Sequence, residues 1–380
     1  MRLSQNLRSA VTILGEELRV LPAAGGAVEY LQRPDADEVD DERINSGVDR
    51  VDEFAETSAP SSPRVNIPVP AKLRSEQHLF RYFLDGSLRT YFLGTGLERG
   101  RSFPIMLAQI GASCVRRSDS GRLRLHSSEA RVLLLAPKGG DGISDEVWER
   151  LKVLDSPDRS FLVIDINEKA VSAAKDEVDP RNKAGGVARN RMHNLEIELI
   201  DSTDAVRSEG SWMIIDGAVK LDQFVKKPFL VGVAKSFSKK PEFQFSRTAQ
   251  HRKVDVTALL EELEFANRTP AFSSYGGKVA FWYLRLWPYK HLDYPLMGVI
   301  KVELPTPDLQ PVDTEKINEL SRCLVGERSV TPYGQDPRWH CHLYPIFCAE
   351  SATKARFMTG EVLLGHVQWR RQIQLINAEA

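Results

Sequence analysis

Two patterns of hydrophobic and polar residues run along this chain, and together they predict an α/β protein. In the first 20 residues, leucine and valine recur at spacings of three and four, which is typical of one amphipathic helix. From about residue 70, short apolar runs typical of buried strands alternate with longer stretches that have helical periodicity. This mixture favours one large mixed sheet flanked by helices, with insertions.

The individual segments can be placed from the same pattern. The aromatic segment HLFRYFLDGSLRTYFLG, interrupted by Asp85-Gly86-Ser87, predicts two strands joined by a tight turn. The other apolar runs predict strands at 104–117, 130–138, 160–167, 212–219, 228–236, 278–287 and 297–304. The longer periodic segments predict further helices at 144–154 (with Ser144 as its N-cap), 188–208, 313–325 and 351–375.

An acidic segment separates the N-terminal helix from the rest of the chain. Residues 33–64 contain ten acidic residues, only four basic ones and few large apolar side chains. Such a composition cannot bury much surface, which predicts a solvated linker or a loosely held helix. A second interpretation is an arm that imitates nucleic acid and lies in a basic groove. We therefore divide the chain into residues 1–70 (helix and acidic linker) and a main domain at 71–380.

Charge and cysteine content narrow the class of protein. The chain has 380 residues, with 51 Lys and Arg against 52 Asp and Glu, which gives a formal net charge of −1. Without residues 33–64 the balance becomes +5, which is compatible with nucleic-acid binding. Four cysteines without a paired spacing, no signal-peptide pattern and no apolar run of about 18 residues predict a reduced, soluble, cytoplasmic protein.

Carboxylates follow or interrupt two of the apolar strands, at Asp85 and Asp216. Each is followed by glycine, so each is also compatible with an ordinary turn. If the two strands are neighbours, both carboxylates can converge with Glu196 or Glu198 from the helix at 188–208. Oxygen ligands of this kind hold Mg²⁺ or Mn²⁺, and two such ions support phosphodiester hydrolysis. Helical periodicity does not choose between the two glutamates, because they lie on opposite sides of the apolar stripe.

Basic and aromatic residues near these carboxylates add candidate contacts to a phosphate backbone. Lys235 ends the strand after Asp216, where a cation suits a phosphate contact and is equally compatible with a solvated strand end. Near the C-terminus, His340 and His342 would share one face of a strand, as a proton-transfer pair, as metal ligands or as structural histidines. The candidate DNA-binding side chains are Lys235, Lys239, Lys240, Arg89, Arg116 and Arg117.

In this order and spacing, the motifs FLDGSLRTYFLG, LEIE, WMIIDGAV, FLVGVAKS and LYPIFCAES resemble the NurA nuclease family over about residues 76–365. The resemblance implies an RNase H-like fold and a Mn²⁺-dependent (or Mg²⁺-dependent) nuclease acting on DNA ends and single strands. It also implies a homodimer that works with a HerA-type hexameric ATPase, in DNA end processing or in defence against invading DNA. The long separation of the first two motifs leads us to read 118–187 as partly inserted.

Carried over by position, the resemblance assigns metal binding to Asp85, Asp216 and either Glu196 or Glu198, and a catalytic role to Tyr344. The family usually has a histidine eight residues after that tyrosine, and here the position is Ala352. His340 or His342 would stand in for it, with His342 our choice, or Glu350 would take a metal-linked role, or activity would be reduced. Lys235 would neutralise the scissile phosphate.

Two further questions are open from the sequence. The N-terminal helix either packs on its own core or is the contact with the ATPase or a second subunit. The protein as a whole is interpreted as a nuclease, with a non-catalytic adaptor docked on a ring ATPase as the main alternative and a metal-dependent phosphatase as a third.

Overall fold

The computed structural model describes most of the chain. The described residues are 2–23, 50–72, 79–140, 142–167, 180–219, 222–245, 254–288, 296–331 and 339–369. The first half of the acidic segment, up to residue 49, and the end of the last predicted helix, beyond residue 369, lie outside them.

A mixed sheet of 12 strands organises the described residues. The strands of the described residues are β1 (Arg19–Pro22), β2 (Arg50–Val51), β3 (Ile67–Pro68), β4 (Phe80–Glu98), β5 (Arg101–Arg117), β6 (Leu123–Ala136), β7 (Phe161–Asp165), β8 (Trp212–Asp216), β9 (Leu230–Ala234), β10 (Glu242–Phe243), β11 (Val254–Asp255), β12 (Asn267–Arg268), β13 (Phe272–Ser274), β14 (Val279–Arg285) and β15 (Val299–Pro305). Three of the short strands, β2, β10 and β11, form a separate small sheet, and the other twelve form the large one. The order across the large sheet is β3-β12-β14-β15-β9-β8-β4-β5-β6-β7. The α/β class with a mixed sheet flanked by helices is therefore confirmed.

The centre of the sheet combines antiparallel and parallel pairs. Strands β4, β5 and β6 form an antiparallel meander, whereas β8 runs parallel to β4 and β9 runs parallel to β8. Strands β6 and β7 fall within 118–187 and extend this same sheet, with β7 parallel to β6. The interpretation of 118–187 as an insertion relative to the family stays a prediction.

The hairpin predicted around Asp85-Gly86-Ser87 is wrong. These residues lie inside β4, which continues for 19 residues and pairs Asp85 with Ser113 and Gly86 with Ala112 of β5. Asp-Gly favours a tight turn when nothing else constrains it. Here the long apolar pattern on both sides keeps the strand extended, because a turn would remove those side chains from the sheet faces.

Helices cover both faces of the sheet. Their bounds are α1 (Arg2–Glu17), α2 (Asp145–Lys152), α3 (Pro180–Ser202), α4 (Asp222–Val225), α5 (Val256–Leu260), α6 (Thr314–Glu327), α7 (Tyr344–Lys354) and α8 (Gly360–Leu364). On one face α3 packs Leu195 and Leu199 against Leu84 and its neighbours. On the other face α6 and α7 pack against the side of β4 that carries Phe80 and Phe83.

Three predicted helices differ from the observed ones, and the one predicted at 188–208 is observed as α3 at Pro180–Ser202. The continuous helix predicted over 351–375 is wrong, because α7 ends at Lys354 and α8 begins only at Gly360. Thr359 is the N-cap of this second helix and accepts a hydrogen bond from the Val362 amide. Ser144 is at the predicted N-cap of α2, but its side chain makes no capping hydrogen bond.

The N-terminal helix packs on the core of its own chain. Leu7, Val11 and Leu14 of α1 are buried in a cluster that includes side chains of β5, β6 and β7. Of the two interpretations of this helix, packing on its own core is therefore the one observed. The apolar stripe that suggested a docking surface is already covered.

The second half of the acidic segment is integrated into the fold, in contrast to the predicted linker. Residues 50–51 form β2, and Glu56 is buried. Its carboxylate accepts hydrogen bonds from Arg268 Nη2 at 2.8 Å and from the Ala271 amide at 2.7 Å. Arg268, on β12, is itself fully buried. This ion pair therefore holds the residues around Glu56 against the sheet.

No helix among the described residues is both long and apolar enough to span a lipid bilayer.

Candidate active site

The register of the central strands brings Asp85 and Asp216 together. Strands β4 and β8 are parallel neighbours in which Leu84 lies opposite Ile215, so the two aspartates that follow are adjacent. Asp85 is buried in the middle of β4, whereas Asp216 is the last residue of β8. Gly217 then takes a φ of 100°, a left-handed conformation that glycine adopts without strain, and turns the chain away from the sheet.

Lys235 joins this pair from the next strand. Asp216 lies opposite Val233 of β9, and Lys235 follows directly after that strand ends. Its Nζ is 2.9 Å from Asp216 Oδ2, and both side chains are largely buried. The lysine thus supplies a positive charge directly beside Asp216.

Glu196 reaches the same region from α3, on the other face of the sheet. Its carboxylate lies against the bare backbone of Gly86: a Cβ atom at position 86 would be only 2.5 Å from Glu196 Oε1. His193, one turn earlier on the helix, is hydrogen-bonded through Nδ1 to Glu196 Oε2 at 2.7 Å. The glycine opens the space for this carboxylate, and the histidine holds it there.

Helix α7 closes the site from the face opposite α3. Thr353 Oγ1 donates a hydrogen bond to the main-chain carbonyl of Asp85 at 3.3 Å, which fixes the helix to β4. Glu350, one turn earlier, accepts a hydrogen bond from Lys354 Nζ at 2.5 Å. Glu350 also interacts electrostatically with Asp85, with Lys235 and with the buried His342.

Burial and neighbouring charges shift the pKa values of Asp85 and Lys235. Burial, followed by repulsion from Asp216, Glu350 and Glu196, raises the pKa of Asp85 well above its ordinary value. Burial by itself lowers the pKa of Lys235, but attraction to Asp216 and Asp85 outweighs it, so that pKa is raised. Three carboxylates and one lysine ammonium act on Asp85, so negative charge predominates around it.

We tested whether this cluster fits the metal that the resemblance implies. Within the described ranges, no three His, Cys, Asp or Glu side chains already lie in a metal-binding arrangement. Asp85, Asp216 and Glu196 nevertheless offer only oxygen donors, the ligands that Mn²⁺ and Mg²⁺ prefer. Their mutual repulsion also favours an added cation, so the donor set fits such a metal by its chemistry.

Other predicted site residues lie elsewhere. Glu198 is directed away from the cluster and pairs with Arg131 Nη2 at 2.6 Å, so among the two helix glutamates it is Glu196 that approaches the aspartates. Tyr344 is the first residue of α7 and is exposed on the surface. His340 lies in a 3-10 turn at Trp339–Cys341 and not on the predicted strand, and His342, just after that turn, interacts electrostatically with Glu350.

The candidate DNA-binding residues divide into two groups. Lys239 and Lys240 are exposed a few residues beyond Lys235, and Arg89 lies on β4 four residues beyond Asp85. Arg116 and Arg117 lie on the other side of Asp85, at the C-terminal end of β5, where Arg116 is opposite Tyr82, three residues before Asp85. Arg117 is also committed to an ion pair with the buried Glu327, at 2.5 Å from Nη2 to Oε2, so it is a structural residue.

Sequence reasoning missed the residues that build the site around the aspartates. The sequence pattern predicts a turn at Gly86 and assigns no role to Thr353 or His193. The spacing of His193 and Glu196, three residues apart on a helix, is a signal that could have identified this hydrogen-bonded pair. The contact of Gly86 with Glu196 depends on strand and helix packing and has no local signal.

Replacing Gly86 with alanine is expected to displace the Glu196 carboxylate without unfolding the protein. The added Cβ would collide with the flexible end of a side chain and not with backbone. Because a displacement of about 1 Å can cost roughly 10²-fold in rate, we expect metal-dependent cleavage to fall about 10²-fold. The measurement is the initial rate of DNA cleavage at saturating Mn²⁺.

Gly186→Ala is the matched control. Gly186 lies on α3 as well, and an added Cβ there meets no atom within 4 Å. It should leave the rate unchanged and stabilise the helix by up to about 1 kcal/mol. Equal rates for both alanine variants would remove Glu196 from the site.

No known family model matches the chain, and a search of curated proteins finds no significant similarity. The NurA resemblance therefore stays a prediction that rests on the order of short motifs.

Proposed function

We propose that this protein is a cytoplasmic, metal-dependent DNA nuclease of the NurA type. The observation that carries the proposal is the adjacency of Asp85 and Asp216 on neighbouring parallel strands, with Glu196 of α3 close enough to repel Asp85 electrostatically. These are the positions that the resemblance assigns to metal binding. Lys235 lies beside them, at the position expected for a phosphate contact.

The order of the central strands supports the narrower RNase H-like assignment. Counted from β4 along the chain, the strands β4, β5, β6, β8 and β9 lie in the spatial order 3-2-1-4-5. The first three are antiparallel, and the last two run parallel to the first. This is the arrangement that an RNase H-like core is expected to have, with the acidic residues on its first and fourth strands.

Asp85, Asp216 and Glu196 would hold the Mn²⁺ or Mg²⁺. Once bound, the metal would supply Lewis acidity for activating water and for stabilising charge on the phosphate. His193 would keep the Glu196 carboxylate oriented through its hydrogen bond. Gly86 would leave the space in which that carboxylate lies.

Residues around the carboxylates would bind and orient the DNA. The Lys235 ammonium, largely buried beside Asp216, would exchange part of this ion pair for a contact with a phosphate oxygen. Lys239, Lys240 and Arg89 would continue the contact along the backbone, since they lie on the segments that leave the cluster. Arg117 is removed from this set by its ion pair with Glu327.

A homodimer and a HerA-type hexameric ATPase are the partners that accompany this proposal. The apolar stripe of α1 is buried in its own chain, so its solvent-facing side is the part of the helix left for such a contact. That side carries Gln5 and Arg8.

A cleavage assay separates the nuclease from the adaptor alternative. The full chain is incubated with an end-labelled single-stranded oligonucleotide and either MnCl₂ or EDTA. We expect cleavage with Mn²⁺ and none with EDTA. Asp216→Asn, purified identically, controls for contaminating nucleases. Failure to cleave single-stranded and double-stranded DNA under any metal condition would contradict the proposal and favour the adaptor.

A further inference from the structure

A polar cavity lies on the α3 side of the sheet, apart from the carboxylate cluster. It has a volume of about 270 Å³, and its lining includes Arg131, Arg159, Arg191, Asn194 and Glu198. These residues come from β6, from the turn before β7 and from α3. The cavity is therefore assembled by the tertiary fold.

The charged groups of this lining are three arginines and one glutamate. Arg131 donates a hydrogen bond to Glu198 Oε2 at 2.6 Å, and Arg159 donates one to Oε1 of the same carboxylate at 3.3 Å. One carboxylate thus partners two guanidinium groups, and Arg191 adds a third cation to the wall. Among the described lining residues, arginines therefore outnumber carboxylates three to one.

Arg131 forms the buried base of this arrangement. Only 9% of its side chain is exposed, against 42% for Glu198 and 56% for Arg159. Its Nε is buried and has no hydrogen-bond partner among the described residues. A buried donor of this kind on a cationic group is better satisfied by an anion than by the single carboxylate oxygen that Arg131 now contacts.

We propose that this cavity binds a phosphoryl group. Its volume lies just below the range of about 300–1,000 Å³ typical of pockets for whole drug-sized ligands, which favours one tetrahedral anion over a complete nucleotide. The planar fork of a guanidinium group matches two phosphate oxygens at once. Ile110, Leu133 and Ile197 supply apolar wall that lowers the local dielectric constant and strengthens the contact.

Glu198 has a defined part in this proposal. Its carboxylate occupies the anion position in the empty cavity, between Arg131 and Arg159. Because it is partly exposed, it can turn into solvent when a phosphoryl group enters. It therefore competes with the ligand, and its removal should tighten binding.

The test is isothermal titration calorimetry on the full chain in EDTA, with three probes: inorganic phosphate, 5′-dAMP and a single-stranded oligonucleotide. We expect Arg191→Gln and Arg131→Gln each to weaken binding about tenfold, and Glu198→Gln to tighten it about fivefold. Arg64, which is exposed far from the cavity in sequence, provides the control Arg64→Gln, expected to bind as wild type. Binding of phosphate or 5′-dAMP assigns a free anion, whereas binding of the oligonucleotide alone assigns a phosphate of a nucleic-acid strand.

Two results would overturn the proposal: no binding of any probe by wild type, or Glu198→Gln and Arg191→Gln affinities that move in the same direction. Arg191 is only half-buried, so its variant keeps the test decisive if Arg131→Gln fails to fold. EDTA excludes the metal from the carboxylate cluster, so failure here leaves the proposed nuclease function standing.

Discussion

Asp85→Asn is expected to abolish metal-dependent DNA cleavage and, at neutral pH, to raise the midpoint of thermal unfolding. Loss of one charged ligand should lower the rate on the order of 10³-fold, the upper range for a single electrostatic group in an active site. The stability gain follows from burial and from repulsion by Asp216, Glu350 and Glu196, which together raise the pKa of Asp85. Both effects are measured on one protein, by a cleavage assay and by thermal unfolding.

The stability gain should depend on pH in a defined direction. The pKa of Asp85 is higher in the folded protein than its ordinary value of 3.8, so between these two values the folded state binds more protons than the unfolded state. The unfolding free energy of wild type therefore falls as the pH rises through this interval. The advantage of Asp85→Asn should be present at neutral pH and should disappear as the pH falls below about 3.8.

Asp165→Asn is the matched control for both aspartates of the site. Asp165 ends the apolar strand β7 as Asp216 ends β8, but it accepts hydrogen bonds from the amides of Lys138 at 3.0 Å and Asn167 at 2.9 Å. Asparagine can accept the same bonds, so cleavage should stay at the wild-type rate. Asp216→Asn should lose cleavage as Asp85→Asn does. Cleavage at the wild-type rate by Asp85→Asn or by Asp216→Asn would contradict the assignment of the site.

Glu56→Ala is expected to lower the free energy of unfolding by about 3–5 kcal/mol, because it leaves the Arg268 guanidinium buried and unpaired. Glu56 and Arg268 have no exposed side-chain surface, and Arg268 Nε also donates to Asn318 Oδ1 at 2.8 Å. The neighbouring hydrogen bond to Asn318 does not replace the lost charge. Chemical denaturation at neutral pH provides the measurement.

Glu53→Ala serves as the comparison, since Glu53 lies in the same segment and is exposed. It should change the unfolding free energy by no more than about 0.5 kcal/mol. If the two variants unfold at the same denaturant concentration, residues 50–64 are the solvated linker that their composition suggested.

The acidic segment shows where composition misleads. The abundance of charged residues predicts a solvated linker, and composition treats all ten acids alike. Glu56 differs only because Arg268, more than 200 residues later, lies opposite it in the folded protein. A long-range pairing of this kind leaves no local trace in the sequence.

Elements with strong periodicity were predicted well. The strands at Phe161–Asp165, Trp212–Asp216 and Leu230–Ala234 are near-continuous apolar runs. Each has a parallel neighbour in the mixed sheet, and the burial of these strands explains that pattern. The turn predicted at Asp85-Gly86 was wrong for the opposite reason. A local turn preference was overridden by the pairing of β4 with β5 along almost its whole length.

The aspartates of the candidate site could be predicted from the sequence, but the residues that surround them could not. Asp216 and Lys235 follow apolar strands, which is a local signal. The choice of Glu196 over Glu198 required the position of α3 relative to Gly86, which only the fold supplies. The same packing directs Glu198 to Arg131 and creates the arginine-lined cavity between α3 and β6.

Direct binding of Mn²⁺ tests the central claim that Asp85, Asp216 and Glu196 form a metal centre. Mn²⁺ is titrated into the full chain and free Mn²⁺ is followed by electron paramagnetic resonance, for wild type, Asp216→Asn and Asp165→Asn. We expect saturable binding by wild type and Asp165→Asn, and an affinity at least about tenfold weaker for Asp216→Asn. Equal binding by all three proteins, or no binding by wild type, would contradict the account.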